Sequence, residues 1–110
     1  MKKENDKANA FLAKLLALAS PHRLRIVAEL GKGRNYVSQI ARVVGMSRPL
    51  VQMHLSKLEA AGIVSSRLEL SEDGKAMRFY ELLPFALVLD RQTIIEAAAG
   101  LEKTVDKETE

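Results

Sequence analysis

The sequence predicts a mainly helical α+β domain, with about five helices and a single two-stranded β-hairpin between the fourth and the fifth. Three observations carry that prediction. Apolar residues recur near a 3.6-residue spacing in five separate stretches. β-formers gather in only two short runs, Ile63 to Leu70 and Met77 to Leu82, on either side of a turn containing Asp73-Gly74. The chain has 110 residues, 47% of them hydrophobic, and no cysteine, which suits one core held by packing rather than by disulfides or thiolate metal sites.

Residues 1–7 are polar and read as a flexible N-terminus. A first helix spans 8–19, with Ala8, Phe11, Leu12, Leu15, Leu16 and Ala19 along one side. Ser20 is placed to cap the next helix and Pro21 to occupy its first position; Leu24, Ile26, Val27 and Leu30 supply its buried side. Gly31 suits a left-handed cap at its end. A short helix over 37–44 carries Val37, Ile40, Ala41 and Val44, and Gly45 ends it. Ser47 then caps a longer helix of 48–61, lined inside by Val51, Leu55 and Leu58 and stopped by Gly62. The Asp73-Gly74 pair predicts a tight hairpin turn with positive φ at both residues. Pro84 opens a last helix over 85–101, and 102–110 is a charged tail.

Charge is distributed unevenly. Between residues 20 and 57, Arg23, Arg25, Lys32, Arg34, Arg42, Arg48 and Lys57 face Glu29 alone, whereas the last ten residues are net acidic. A basic middle points to a polyanionic partner. No run approaches the roughly 18 apolar residues that cross a bilayer, and no secretory signal follows Met1-Lys2-Lys3. The expected location is cytoplasmic, with no membrane partner.

Residues 37–56 have the spacing of a helix-turn-helix. Ala41 is small where two helices approach, Gly45 suits a left-handed turn, and Val51 plugs back under the first helix. A plain helical hairpin would share that spacing, but the hairpin that follows, with Arg67, Lys75 and Arg78, describes a winged helix. Three segments then resemble the ArsR/SmtB winged-helix regulators: Leu18 to Val27 (LASPHRLRIV), Val51 to Val64 (VQMHLSKLEAAGIV) and Met77 to Leu82 (MRFYEL). The resemblance covers about residues 10–101, and Gln52 departs from the serine usual in that family at its position.

The resemblance implies a homodimeric DNA-binding domain over 8–101, a repressor whose helix 48–61 enters the major groove while a wing at 67–80 meets the flanking backbone. Ser47, Arg48, Gln52, Met53 and His54 are the expected base contacts. Lys32, Arg34, Arg42, Lys57, Arg67, Lys75 and Arg78 are the expected phosphate contacts, which position the protein without reading sequence. Helices 8–19 and 85–101 carry more apolar surface than a small winged helix buries alone. Phe11, Leu12, Leu15, Leu16, Phe85, Val88, Leu89, Ile94, Ile95, Ala98 and Leu101 are therefore the expected dimer interface. The alternative is a winged helix used as a protein-interaction or architectural module without specific DNA readout; an RNA-binding version has too few aromatics for base stacking.

Metal ligands of the family do not carry over. Its Cys-x-Cys site falls at Tyr36 and Ser38, and its Asp-x-His site starts at Asp90 but meets Gln92, with no histidine after His54. A member that does not sense metals is expected, without a cofactor and with any effector ligand unspecified. Catalysis is not expected either. The glycines form no phosphate loop, no serine sits in a nucleophile turn, and Glu72-Asp73 lies in a hydrated turn.

Overall fold

The computed structural model describes the backbone of residues 2–109 and the side chains of residues 3 and 5–101. Eight elements follow in order: α1 (Lys2–Leu18), α2 (Pro21–Leu30), β1 (Asn35–Tyr36), α3 (Val37–Val44), α4 (Arg48–Ala60), β2 (Val64–Leu70), β3 (Ala76–Leu82) and α5 (Arg91–Thr109). This is the expected winged helix-turn-helix, with the hairpin between α4 and α5. The chain divides into two compact units, Ala17–Phe85 and a second made of Met1–Leu16 with Ala86–Glu110.

The Ala17–Phe85 unit holds a closed core. Ile26 and Leu30 of α2, Ile40, Ala41 and Val44 of α3, and Val51, Leu55 and Leu58 of α4 pack with Ile63, Val64 and Tyr80. Sequence signals set most of the joints. Ser20 accepts from the Arg23 amide (3.3 Å) with Pro21 in the first turn of α2, and Ser47 accepts from the Leu50 amide (3.3 Å) at the start of α4. Gly45 is left-handed (φ 72°), so its own amide and that of Met46 both reach the Ala41 carbonyl, at 2.9 and 3.0 Å.

The hairpin pairs β2 with β3 from Val64↔Leu82 to Leu70↔Ala76, and β1 adds a third strand through Asn35↔Tyr80 and Tyr36↔Phe79. β1 went unpredicted because two residues leave no periodicity to read. The turn also differs from expectation. Gly74 alone takes positive φ (83°), the Gly74 amide bonds to the Ser71 carbonyl (2.9 Å) and the Ser71 amide to the Lys75 carbonyl (2.8 Å). That is a three-residue loop with a glycine bulge, which leaves Asp73 unstrained. Gly31 likewise ends α2 in the right-handed region (φ −62°), the positive φ falling instead on Gly33.

In the second unit, α1 starts at Lys2, six residues before the expected start at Ala8. Residues 2–7 are polar, but lysine and glutamate are good helix formers, so polarity does not by itself end the helix at Ala8. Met1 of the expected flexible segment lies outside the described residues. The last helix begins at Arg91 rather than 85, and residues 83–89 form neither helix nor strand. Asp90 sets the start: its carboxylate accepts from the Thr93 amide (2.9 Å) and the Thr93 hydroxyl accepts from the Asp90 amide (3.0 Å). This reciprocal cap outweighs the weaker signal of Pro84, which suits extended backbone equally well. Helix continues to Thr109, so its backbone includes most of the expected tail, whose side chains lie outside the described residues.

Candidate nucleic-acid interface

Helix α4 presents two chemically different sides. Val51, Leu55 and Leu58 are fully buried, which fixes the helix's rotation about its axis. The opposite side leaves Arg48, Gln52, Met53, Ser56 and Lys57 exposed, with Ser47 exposed at the cap. No acidic residue occurs in α4 before Glu59. A rigid rod with an amide and two cations outward, its other side locked in the core, has the form of a major-groove reader.

His54 corrects an expectation. It was counted among the base contacts, but it is only 6% exposed and points inward. Its Nδ1 lies 3.2 Å from an Arg23 guanidinium nitrogen. Because arginine can only donate, Nδ1 must be the acceptor, which places the neutral ring's proton on Nε2. Burial, followed by the nearby charges of Arg23, His22 and Lys57, pushes the imidazole below its ordinary pKa. His54 therefore braces α4 against α2 rather than meeting a base.

Two arginines of the basic middle are structural as well. Arg23 donates to the Ala17 carbonyl (2.6 Å), and Arg25 donates to the Val44 carbonyl (2.7 Å), where it satisfies the C-terminal end of α3. Each guanidinium thus spends at least one N–H on a backbone carbonyl, while Arg25 stays exposed. Sequence reasoning counted their charge but had no signal for these roles, since their acceptors are backbone carbonyls distant from them or belong to another element.

Most of the expected phosphate contacts are on the surface in differing states of readiness. Arg42, Lys57, Arg67 and Lys75 are exposed. Lys32 pairs with Glu29 (3.1 Å). Arg34 pairs with Glu69 and lies over the Phe79 ring, 4.5 Å from its centre, while Tyr36 meets the same ring edge-on. That pairing holds the Glu69 carboxyl below its usual range. Arg78 donates to Ser66 Oγ (3.1 Å), and Ser66 in turn donates to Glu59 (2.9 Å), tying the wing to the end of α4. The register also puts Arg67 opposite Phe79 and Arg78 opposite Leu68, so the two wing arginines belong to opposite faces of the ribbon.

The apolar residues expected at a dimer interface fall into two groups. Leu12, Leu16, Val88, Leu89, Ile94, Ile95 and Ala98 are exposed, whereas Phe11, Leu15 and Leu101 are half-buried. Phe85 is a correction. It lies before α5, not on it, and is half-buried against the core of the Ala17–Phe85 unit. Val88 and Leu89 likewise precede α5. Among the described residues no three histidine, aspartate or glutamate side chains converge as metal ligands. Among those residues, too, no helix is long and apolar enough to cross a membrane.

Comparison with known proteins agrees with this geometry. Residues 20–66 match the arsR family of bacterial regulatory proteins, a span that holds α2, α3, α4 and the start of β2. An HTH-type transcriptional regulator of Methanocaldococcus jannaschii is 37% identical over 78 residues, covering 71% of this chain and 81% of that one. Further curated relatives are matched over only 38–47% of their own length. The crystal structure of NolR from Sinorhizobium fredii superposes with a TM-score of 0.60 at 26% identity, covering 93% of this chain and 91% of that one. A homodimeric winged helix-turn-helix DNA-binding domain from Mycobacterium bovis, at 22% identity, shares the fold with a TM-score of 0.62 over 91% of this chain and 80% of that one. The winged helix-turn-helix fold, the arsR match over its α2–α4 segment and the 37% identical regulator together place the chain in the ArsR family of DNA-binding transcriptional regulators.

Proposed function

We propose that the chain acts as a homodimeric repressor that occupies a pseudo-palindromic operator and blocks transcription by occlusion. The observation that carries this reading is the two-sided α4, apolar and locked inside, cationic and amide-bearing outside. Ser47, Arg48, Gln52 and Met53 face the bases. Lys57, Arg42, Lys32, Arg34, Arg67, Lys75 and Arg78 meet the phosphates, Arg34 and Lys32 after exchanging their carboxylate partners. Two copies joined through Phe11, Leu12, Leu15, Leu16, Val88, Leu89, Ile94, Ile95, Ala98 and Leu101 set two α4 helices about 34 Å apart, one turn of duplex.

This regulator works in the cytoplasm and does not sense metals. Tyr36, Ser38 and Gln92 stand where metal-sensing relatives carry soft or imidazole ligands, and the chain has no cysteine. The test is a selection of duplexes from a pool of genomic fragments, followed by affinity measurement against salt. A two-fold symmetric site is expected, with affinity falling steeply as salt rises because several phosphates per subunit release counterions. Affinity that stays flat between low and moderate salt, or enrichment of no site, would point instead to a protein-interaction module.

A further inference from the structure

The amide of Gln52 is already partly engaged, and its partner belongs to the wing. Gln52 Nε2 donates to the Tyr80 hydroxyl at 2.9 Å and reaches Ser56 Oγ, one turn along α4, at 3.4 Å. Tyr80 cannot readily yield: it is 2% exposed, sits on β3 and pairs with Ser66 on one side and Asn35 on the other. A glutamine amide has two N–H donors and one carbonyl oxygen. With both donors directed at Tyr80 and Ser56, only Oε1 remains, and it has no protein partner among the described residues. The usual glutamine reading of adenine needs an N–H for N7 as well as the oxygen for the N6 amino group. That bidentate geometry is closed to Gln52 as it stands.

We propose that Tyr80 is a positioning residue that turns Gln52 into an acceptor-only reader, selecting a base with an exocyclic amino group (adenine or cytosine) over one with a keto group (guanine or thymine). The proposal rests on α4 being the helix that enters the groove. It makes the wing strand part of base selection although β3 touches no base: the buried phenol fixes which end of the amide faces outward. In the opposite orientation, with the phenol donating to Oε1, the outward group would be NH2, which finds an acceptor on guanine, thymine and adenine (N7) and leaves cytosine alone disfavoured. The base chosen therefore reports the orientation directly.

The experiment measures affinity for the selected duplex with every base substituted in turn, using the full chain and three variants. Gln52→Ala identifies the position that Gln52 reads. There the wild type is expected to favour adenine and cytosine over guanine and thymine by about fivefold, the worth of one hydrogen bond. Gln52→Glu, which offers acceptors only and changes an exposed side chain, is expected to keep that order. Tyr80→Phe, which keeps the buried ring, is expected to flatten the preference to within about twofold or convert it to adenine alone, with every other position unchanged. A role in folding alone would weaken all positions together. A wild-type pattern that disfavours cytosine or favours adenine alone, or an unchanged pattern in Tyr80→Phe, overturns the proposal. If Gln52→Ala flattens no position on a duplex that is still bound, readout by α4 itself fails. If no duplex is selected, the DNA-binding reading fails, and in both cases the proposal falls with it.

Discussion

The two units of this chain solve the burial problem in opposite ways. In Ala17–Phe85 three helices and a ribbon close on one another, and Ile26, Ile40, Val51, Leu55, Leu58 and Ile63 lose all contact with water. In the unit formed by residues 1–16 and 86–110, Leu16, Val88, Ile94 and Ile95 remain 52–64% exposed. Sequence composition is apolar in both, so composition does not separate them. Topology does: a helix packed on two sides becomes core, whereas a helix with one side left open keeps an apolar stripe that favours association. The closed unit specifies shape, and the open one is where the proposed association of two copies is placed.

Substitutions should separate these roles, and the largest effect is expected in the open unit. Ile94→Asp combined with Ile95→Asp puts two charges on the exposed stripe of α5. Sedimentation is expected to show a dimer for the wild type and a monomer for this variant, with duplex affinity down at least a hundredfold and helical content retained. A dimer that survives would place the interface elsewhere. Next, Leu55→Ala in the closed unit should cost about 2–5 kcal/mol in chemical denaturation, since a fully buried leucine leaves a cavity. Arg48→Ala comes third. It should remove about 1–3 kcal/mol of discrimination between sites, whereas Lys75→Ala should weaken all duplexes alike and shallow the salt dependence.

The smallest effect concerns pH and again belongs to the closed side. His54 is held neutral by burial and by the cations around it, so its folded pKa lies below the unfolded value of about 6.5. As pH falls through that unfolded value, the unfolded chain takes up a proton before the folded one does. The stability that His54 provides is therefore complete above the ordinary histidine range and is lost below it. Denaturation midpoints should decline between neutral pH and pH 5, and His54→Gln should flatten that decline. The carboxyls of Glu69 and Asp73, held low by Arg34 and by Ser71, act only at more acidic pH.

What was legible in the sequence follows from how local each signal is. Ser20-Pro21, Gly45 and Ser47 act within a turn of their own positions, and α2, α3 and α4 come out close to their expected bounds. The start of α5 differs from the expectation because two local signals compete, Pro84 directly before the apolar run Phe85 to Leu89 and the Asp90–Thr93 pair directly after it. Site residues were harder still. The outward side of α4 follows from periodicity, but the inward turn of His54, the anchoring of Arg25 and the contact between Gln52 and Tyr80 join residues far apart in the chain, and the Arg23 bond to Ala17 crosses from one helix to the next. Tyr80 carried one usable signal, a polar-tipped aromatic on a strand face whose neighbours Val64 and Leu82 are apolar, which means that its hydroxyl must find a partner.

The reciprocal cap at Asp90 and Thr93 has a consequence for how this chain tolerates insertions. Because those two residues start α5 through bonds to each other, the angular phase of the helix is set locally. One residue added between Pro84 and Leu89 changes the length of the connection but leaves Ile94 and Ile95 on the same azimuth relative to the cap. One residue added just after Thr93 swings every later side chain by about 100° and turns the stripe away. Length variation can accumulate upstream of Asp90 and is penalised immediately downstream of it.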